Sequence, residues 1–147
     1  MTSSIRIAAA SFLLVLIVTA RAEANCTIST TSVAFGSYDV FSATPRDATG
    51  TVQIDCAPRE NIQVWLSRGS SSVFSPRTLR SGLNVLDYNL FRNAARTQVW
   101  GDGSAGTSIF SGNNIRSTTQ TVYGRVPAAQ DAAVGNYTDT IVATVIF

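Results

Sequence analysis

Cys26 and Cys56 are the residues whose chemistry the sequence constrains best, since the chain holds two cysteines. Cys26 shares its strand phase with Ile28, and Cys56 shares its phase with Ile54. Both sulfurs should therefore point toward an apolar core and form a disulfide. Closing a loop of about 30 residues would stabilise the fold by roughly 3–4 kcal/mol. A redox-active or nucleophilic cysteine is the weaker interpretation, because the chain has no CxxC spacing and no histidine.

Other catalytic arrangements find little support. Without histidine, the chain cannot assemble a Ser-His-Asp triad, a Cys-His pair or the usual zinc ligand sets. The stretch GDGSAGTS at 101–108 lacks the Gly-Lys-Ser/Thr ending of a phosphate-binding loop. Most carboxylates lie in or beside predicted turns, which explains them without a paired-carboxylate glycosidase site. We therefore expect no enzymatic activity, no metal and no cofactor.

The charge balance argues against a nucleic-acid partner. The chain carries 11 Lys plus Arg and 9 Asp plus Glu, a formal net charge of +2. The arginine pairs within 77–80 and 92–96 are better explained as solvated loop charges than as a phosphate-binding patch.

Residues 1–24 have the pattern of a secretory signal peptide. Arg6 precedes the apolar run 7–20, and the small-x-small sequence Ala22-Glu23-Ala24 predicts cleavage before Asn25. The apolar run is short for a membrane anchor, so we expect no membrane span in the mature chain. Residues 25–147 then form a single exported domain.

The rest of the chain alternates between short strands and turn-rich connections. Loops are expected at 36–50, 68–82 and 101–114, where Gly, Pro, Asp and Ser are frequent. Predicted strands lie at 26–35, 51–56, 61–67, 84–91, 97–100, 119–126 and 137–147. About seven short strands separated by turns predict an all-β fold, a β-sandwich.

The segment 137–147 raises a question about strand pairing. Its odd positions form the more apolar set, which predicts that they face the core; these are Tyr137, Ile141, Ala143, Val145 and Phe147. Asp139 interrupts that apolar face and should lie near its solvent-exposed end. No turn or polar residue follows Phe147, so the far edge of this strand would lack a partner. An ordinary closed sandwich with an interior last strand fits the alternation equally well.

Three stretches in order resemble the spore coat protein U family of secreted bacterial proteins, which includes subunits of archaic chaperone–usher pili. They are CTISTTSVAFGSYDVFSATPRDATGTVQIDC, LDYNLFRNAARTQVWGDG and YGRVPAAQDAAVGNYTDTIVATVIF. The resemblance implies an immunoglobulin-like sandwich that lacks its final strand. It also implies a periplasmic chaperone, an usher and neighbouring subunits as partners, with one partner lending the absent strand beside 137–147. The implied location is the cell surface or the extracellular space, reached through the periplasm.

One departure from the pilin pattern affects the expected position in a fibre. Cleavage after Ala24 leaves Asn25 alone ahead of Cys26, whereas pilin-type members carry a donor strand there. We therefore expect a subunit that accepts a strand without donating one, in a terminal or minor position. The rival hypothesis is an adhesin or lectin-like module that binds a ligand through Tyr38, Trp65 and Trp100, although these aromatic side chains fit core or cross-strand packing better.

Overall fold

Alternating apolar and polar residues fold into antiparallel strands in a computed structural model that describes residues 23–147. This part of the chain contains six strands and no α-helix. The strands are β1 (Asn25–Thr31), β2 (Arg46–Leu66), β3 (Arg77–Ser81), β4 (Asn84–Phe91), β5 (Phe110–Val126) and β6 (Ala143–Ile146). No helix that could cross a membrane occurs within these residues. The predicted signal peptide lies, apart from its last two residues, outside the described part.

β2 organises the sheet. It pairs with β5 from Arg46↔Val126 to Val64↔Phe110. The other edge of β2 pairs first with β1, over 51–57, and then with β6, over 63–66. The register of the β2–β5 ladder shifts between Asp55 and Ile62, and irregularities of this kind let a long two-stranded ribbon bend. Both halves of β2 consequently contribute to one core.

β3 and β4 form a hairpin that completes the sheet. The hairpin turns at Gly82, whose φ is +60°, a conformation that glycine adopts without strain. β4 joins β5 through Asn89–Phe91. The sheet order is therefore β1-β2-β5-β4-β3, with β6 on β2.

The core lies between the two ends of this curled sheet. Its buried apolar side chains are Val52, Ile54, Cys56, Ile62, Val64, Leu66, Leu86, Tyr88, Leu90, Trp100, Val122 and Val126. All six members from β2 occupy even positions, as a period of two requires. Trp100 is 1% exposed and its indole nitrogen donates to the Val64 carbonyl oxygen at 3.1 Å.

The strand boundaries differ from the sequence predictions in several places. The predicted strands 51–56 and 61–67 are parts of the single strand β2, and β5 begins at Phe110, inside a predicted loop. The expected loop 68–82 contains β3. Residues 97–100 make isolated bridges, Phe91↔Val99 and Trp100↔Ser108, rather than a strand. The last predicted strand is regular over Ala143–Ile146 alone.

Candidate functional site

A groove crosses the molecule between two chain segments of twelve residues each. We call residues 30–41 the leading wall and residues 132–143 the trailing wall. The groove consists of two adjoining cavities of about 320 and 860 Å³. Core side chains of β2, β4 and β5 form its floor, namely Val52, Leu66, Leu86, Tyr88, Leu90, Val122 and Val126. These floor side chains are at most 4% exposed, so the groove lies directly over the buried core.

The leading wall begins with the last two residues of β1, which pair with β2, and its remaining residues, 32–41, belong to no described ladder. After β1 ends, Val33 and Phe35 are half-buried against the core, while the residues between and beside them are exposed. Two glycines make room for this segment, since a Cβ on Gly50 or Gly124 would overlap Val33. Two of its carbonyl oxygens are already bonded, since Phe35 O accepts from Arg46 Nε at 2.6 Å and Asp39 O accepts from Ser42 N at 3.1 Å. The absence of a ladder over 32–41 makes this wall a candidate for pairing with an added strand.

The trailing wall is bonded to the sheet along one edge. Thr138 exchanges two backbone hydrogen bonds with Arg80, of 2.8 and 3.0 Å, and Ser67 N donates to Val142 O at 2.9 Å. β6 then continues this pairing along β2. Because backbone groups of an antiparallel strand alternate in direction, those of Ala143 and Val145 point to the opposite, open edge.

Along the trailing wall and β6, most of the odd-numbered side chains face the core, as the alternation predicts. Tyr137, Ile141, Ala143 and Val145 pack against the core, whereas Val142 and Ile146 are exposed. Phe147 was expected on the core side, but its side chain is 52% exposed, because it lies beyond the last residue paired with β2. Whether these residues accept a strand stays a prediction.

Asp139 anchors the middle of the trailing wall. It is half-buried, and its carboxylate accepts hydrogen bonds from Ser70 N at 2.8 Å, Thr140 N at 2.9 Å and Tyr88 Oη at 2.6 Å. The expectation that Asp139 lies at the solvent-exposed end of the apolar face is therefore wrong. Three donors satisfy the charge, so a carboxylate is tolerated in an otherwise apolar face.

The three aromatic residues considered as ligand contacts lie in different places. Trp100 belongs to the core and is not available to a ligand. Tyr38 lines the larger cavity, but its hydroxyl donates to Pro127 O at 2.8 Å and accepts from Gln130 N at 2.9 Å. Trp65 is half-buried on β2, opposite Thr144. No shared aromatic surface results, which weakens the lectin-like hypothesis.

The charged residues that line the groove are acidic. Among the residues that line the two cavities, Asp39 and Asp139 are the charged ones, and both are acidic. An extended segment entering the groove therefore meets apolar side chains and negative charge.

Comparison with known proteins places the chain in a family. The sequence model of the Spore Coat Protein U domain matches residues 13–144. The chain belongs to the spore coat protein U family. Protein U of Myxococcus xanthus is 32% identical over 126 residues, covering 77% of this chain and 70% of that protein.

Two solved structures similar to this spore coat protein U domain come from pilus systems. One is a chain of the CsuC–CsuE chaperone–tip adhesion subunit pre-assembly complex from the archaic chaperone–usher Csu pili of Acinetobacter baumannii. The match has a TM-score of 0.63 and 22% identity, and covers 84% of this chain and 40% of that chain. The E. coli Hda pilus minor tip subunit HdaB matches with a TM-score of 0.45 and 15% identity over 80% of each chain. The Csu match shows a shared fold, and the predicted β-sandwich is confirmed.

Sequence reasoning missed the polar side chains that hold this spore coat protein U domain around its groove. Arg77 is fully buried, although its segment has the composition of a surface loop. Ser67, at the end of a predicted strand, and Ser70, in the turn-rich stretch after it, bind the trailing wall. Gln130 docks its loop to β4 through both atoms of its amide, which bond Asp87 N and Asp87 O. Nothing in the local pattern distinguishes these residues from ordinary loop residues.

Proposed function

We propose that the chain is a structural subunit of a bacterial surface assembly, a pilus or a coat, and that its groove accepts a β-strand from another chain. The observation that carries this proposal is the groove itself, an apolar floor between a leading wall that forms no ladder over 32–41 and a trailing wall bonded to the sheet along one edge. Family membership supports the subunit role, and the Csu likeness supports a fold suited to it.

The geometry favours an extended segment over a compact ligand. The groove runs between two twelve-residue walls; residues 32–41 form no sheet ladder, and the backbone groups of Ala143 point away from β2. A strand between them would bond the leading wall on one side and Ala143 and Val145 on the other. Every second side chain of that strand would then pack against the apolar floor of the groove.

The partner is therefore an extended segment with alternating apolar residues. A periplasmic chaperone during export and a neighbouring subunit afterwards are the expected sources, with an usher acting between them. The acidic lining further favours a segment that is neutral or basic. We place the mature protein at the cell surface or in the extracellular space.

The position in the assembly follows from the predicted cleavage. Processing before Asn25 would leave no donor segment ahead of β1, so the subunit would be terminal or minor. N-terminal sequencing of the exported protein should read Asn-Cys-Thr, or begin at Glu23 if the earlier Ala20-Arg21-Ala22 site is used. Ten or more residues ahead of Cys26 would instead indicate a repeating shaft subunit.

A peptide of defined pattern tests strand acceptance. The probe is a fluorescein-labelled 12-mer that alternates Val and Thr, and its control has the same composition with the valines in one block. Anisotropy should show saturable binding of the alternating peptide at least tenfold tighter than the control, since period-two apolar spacing matches the floor. Hydrogen exchange of 141–147 should slow on binding. A chain that is monomeric, fully protected along 141–147 and indifferent to both peptides would show a sandwich that is already complete.

A further inference from the structure

The groove has a waist where its two cavities meet. Four residues line both cavities, namely Val33, Phe35, Leu79 and Asp139. Val33 and Phe35 belong to the leading wall and Asp139 to the trailing wall, so both walls contribute side chains at the waist. A strand that runs through the whole groove must pass between them.

Tyr88 contacts the side chains of Phe35 and Asp139. It is 3% exposed and lines the smaller cavity from β4. Its ring meets the Phe35 ring edge to face, with centroids 5.9 Å apart and an interplanar angle of 72°. Its hydroxyl donates to Asp139 Oδ2 at 2.6 Å. One residue of the floor thus holds the leading wall by an aromatic contact and the trailing wall by a hydrogen bond to a carboxylate.

The surroundings of Tyr88 make this arrangement stiff. Burial, and then the hydrogen bond to Asp139, raise the pKa of the Tyr88 hydroxyl far above its usual value, so the group remains a donor. Asp139 is fixed on its other side by Ser70 N and by Gly69, where a Cβ would overlap the carboxylate. Neither partner of the 2.6 Å hydrogen bond can shift alone without losing other contacts.

We propose that Tyr88 is the positioning residue that sets the separation of the two walls at the waist, and thereby limits the size of the side chain that a bound strand can place there. The biological use of this device rests on the proposed function. The claim that Tyr88 holds the two walls does not rest on the proposed function, because these contacts are made within the chain itself.

The first test measures hydrogen exchange in the oxidised, unliganded chain. Tyr88→Phe keeps the ring contact with Phe35 and removes the hydroxyl. We expect the amides of Ser70 and Thr140, which both bind Asp139, to exchange at least about fivefold faster relative to those of Val52 and Ile54 in β2. Asp139→Asn should produce a smaller change at the same amides. Tyr123→Phe on β5 is the matched control and should leave the ratio unchanged.

The second test measures size selection with two versions of the alternating Val and Thr peptide, one with a central Ala and one with a central Trp. The unsubstituted chain should bind the Ala peptide about tenfold or more tightly, because overpacking the waist is costly. Tyr88→Phe should bring the ratio of the two affinities close to one, while Tyr123→Phe should keep it.

The outcomes separate the inference from the proposed function. Unchanged exchange at Ser70 and Thr140 in Tyr88→Phe would overturn the inference, and so would an unchanged affinity ratio in a variant that still binds peptide. If the unsubstituted chain binds no alternating peptide, the proposed function fails, and the exchange rates alone decide whether Tyr88 holds the walls.

Discussion

The guanidinium of Arg77 donates a 2.6 Å hydrogen bond to the carbonyl oxygen of Trp100. Arg77 is fully buried, and its remaining donors bind Ser67 O and Asn89 Oδ1. The acceptors of these bonds are neutral, so burial lowers the pKa of Arg77 to about 10. The side chain ties β3, β4 and two connections together from inside the fold, where a cation is costly unless its donors are satisfied.

Replacing Arg77 by Met should therefore destabilise the domain strongly. The change leaves the carbonyls of Ser67 and Trp100 without their partner, at an expected cost of about 2–4 kcal/mol. Urea unfolding followed by tryptophan fluorescence measures this cost. Arg80→Met is the matched control, because Arg80 is exposed on the same strand, and its unfolding midpoint should move little. Equal midpoints for both variants would contradict a structural role for the buried guanidinium.

The disulfide should contribute a large share of stability. Cys26 and Cys56 face each other in the β1–β2 register and are bonded, with a sequence separation of 30, which confirms the predicted pairing. Cys56→Ser should lower the free energy of unfolding by roughly 3–4 kcal/mol and reduce the yield of exported protein. The intact mass before and after reduction and alkylation measures the bond directly. Two free thiols in folded protein would refute it.

Alkaline titration should reveal Tyr88 as a late-ionising phenol. Its pKa is raised above the ordinary value of about 10, mainly by burial. Folded unsubstituted protein and Tyr88→Phe should therefore give the same phenolate absorbance at 295 nm as pH rises. A difference of one phenolate should appear when the protein unfolds. A difference that develops while the fold is intact would show that Tyr88 is accessible to hydroxide.

Acid titration should report on Asp47. The hydrogen bond from Arg125 lowers the pKa of this carboxyl, with Nε and Nη2 at 2.7 and 2.8 Å from its oxygens. A depressed carboxyl pKa adds stability that is present above its unfolded value of about 4 and lost as pH falls through the folded value. Because the pair is largely exposed, Asp47→Asn should cost at most about 1 kcal/mol at pH 7, and the cost should shrink as pH falls below about 4. Asp131→Asn at an exposed position is the control, and a pH-independent cost would contradict the assignment.

The side-chain phase of β6 predicts unequal effects at adjacent positions. Val145 packs against the core, whereas Thr144 lies opposite Trp65 on the other face. Val145→Asp places a charge against the core next to the groove, so it should weaken binding of the alternating peptide at least tenfold. Thr144→Asp, compared by the same anisotropy titration, should change binding about threefold or less. If Thr144→Asp weakened binding more than Val145→Asp, the peptide would contact the Thr144 face of β6 instead.

Period-two alternation allowed the core face of β2 and the disulfide to be predicted, because each depends on residues adjacent along the chain. The joining of the predicted strands 51–56 and 61–67 into the single strand β2 was not predictable in this way. Pro58 and its neighbours have turn composition, but the register shift between Asp55 and Glu60 accommodates the proline within the strand. That accommodation depends on β5, which lies far away in sequence.

The polar contacts of the groove escaped prediction for a related reason. Arg77 has the sequence context of a solvated charge, and its burial depends on carbonyls of Ser67 and Trp100 that approach it after folding. Asp139 similarly interrupts an apolar face, and its partner Tyr88 lies 51 positions earlier. Local patterns predict which face of a strand is apolar, whereas tertiary contacts determine which polar residues can be buried in it.

The arrangement of strands on β2 has a mechanical consequence. β1 and β6 both run antiparallel to β2 along the same edge, so tension applied along either strand loads its backbone hydrogen bonds in shear, all at once, instead of unzipping them in turn. The Cys26–Cys56 bond also crosses the β1–β2 ladder. A pull on the chain ahead of Cys26 therefore passes covalently into the longest strand of the domain, and β1 cannot slide away from β2 before that bond is reduced.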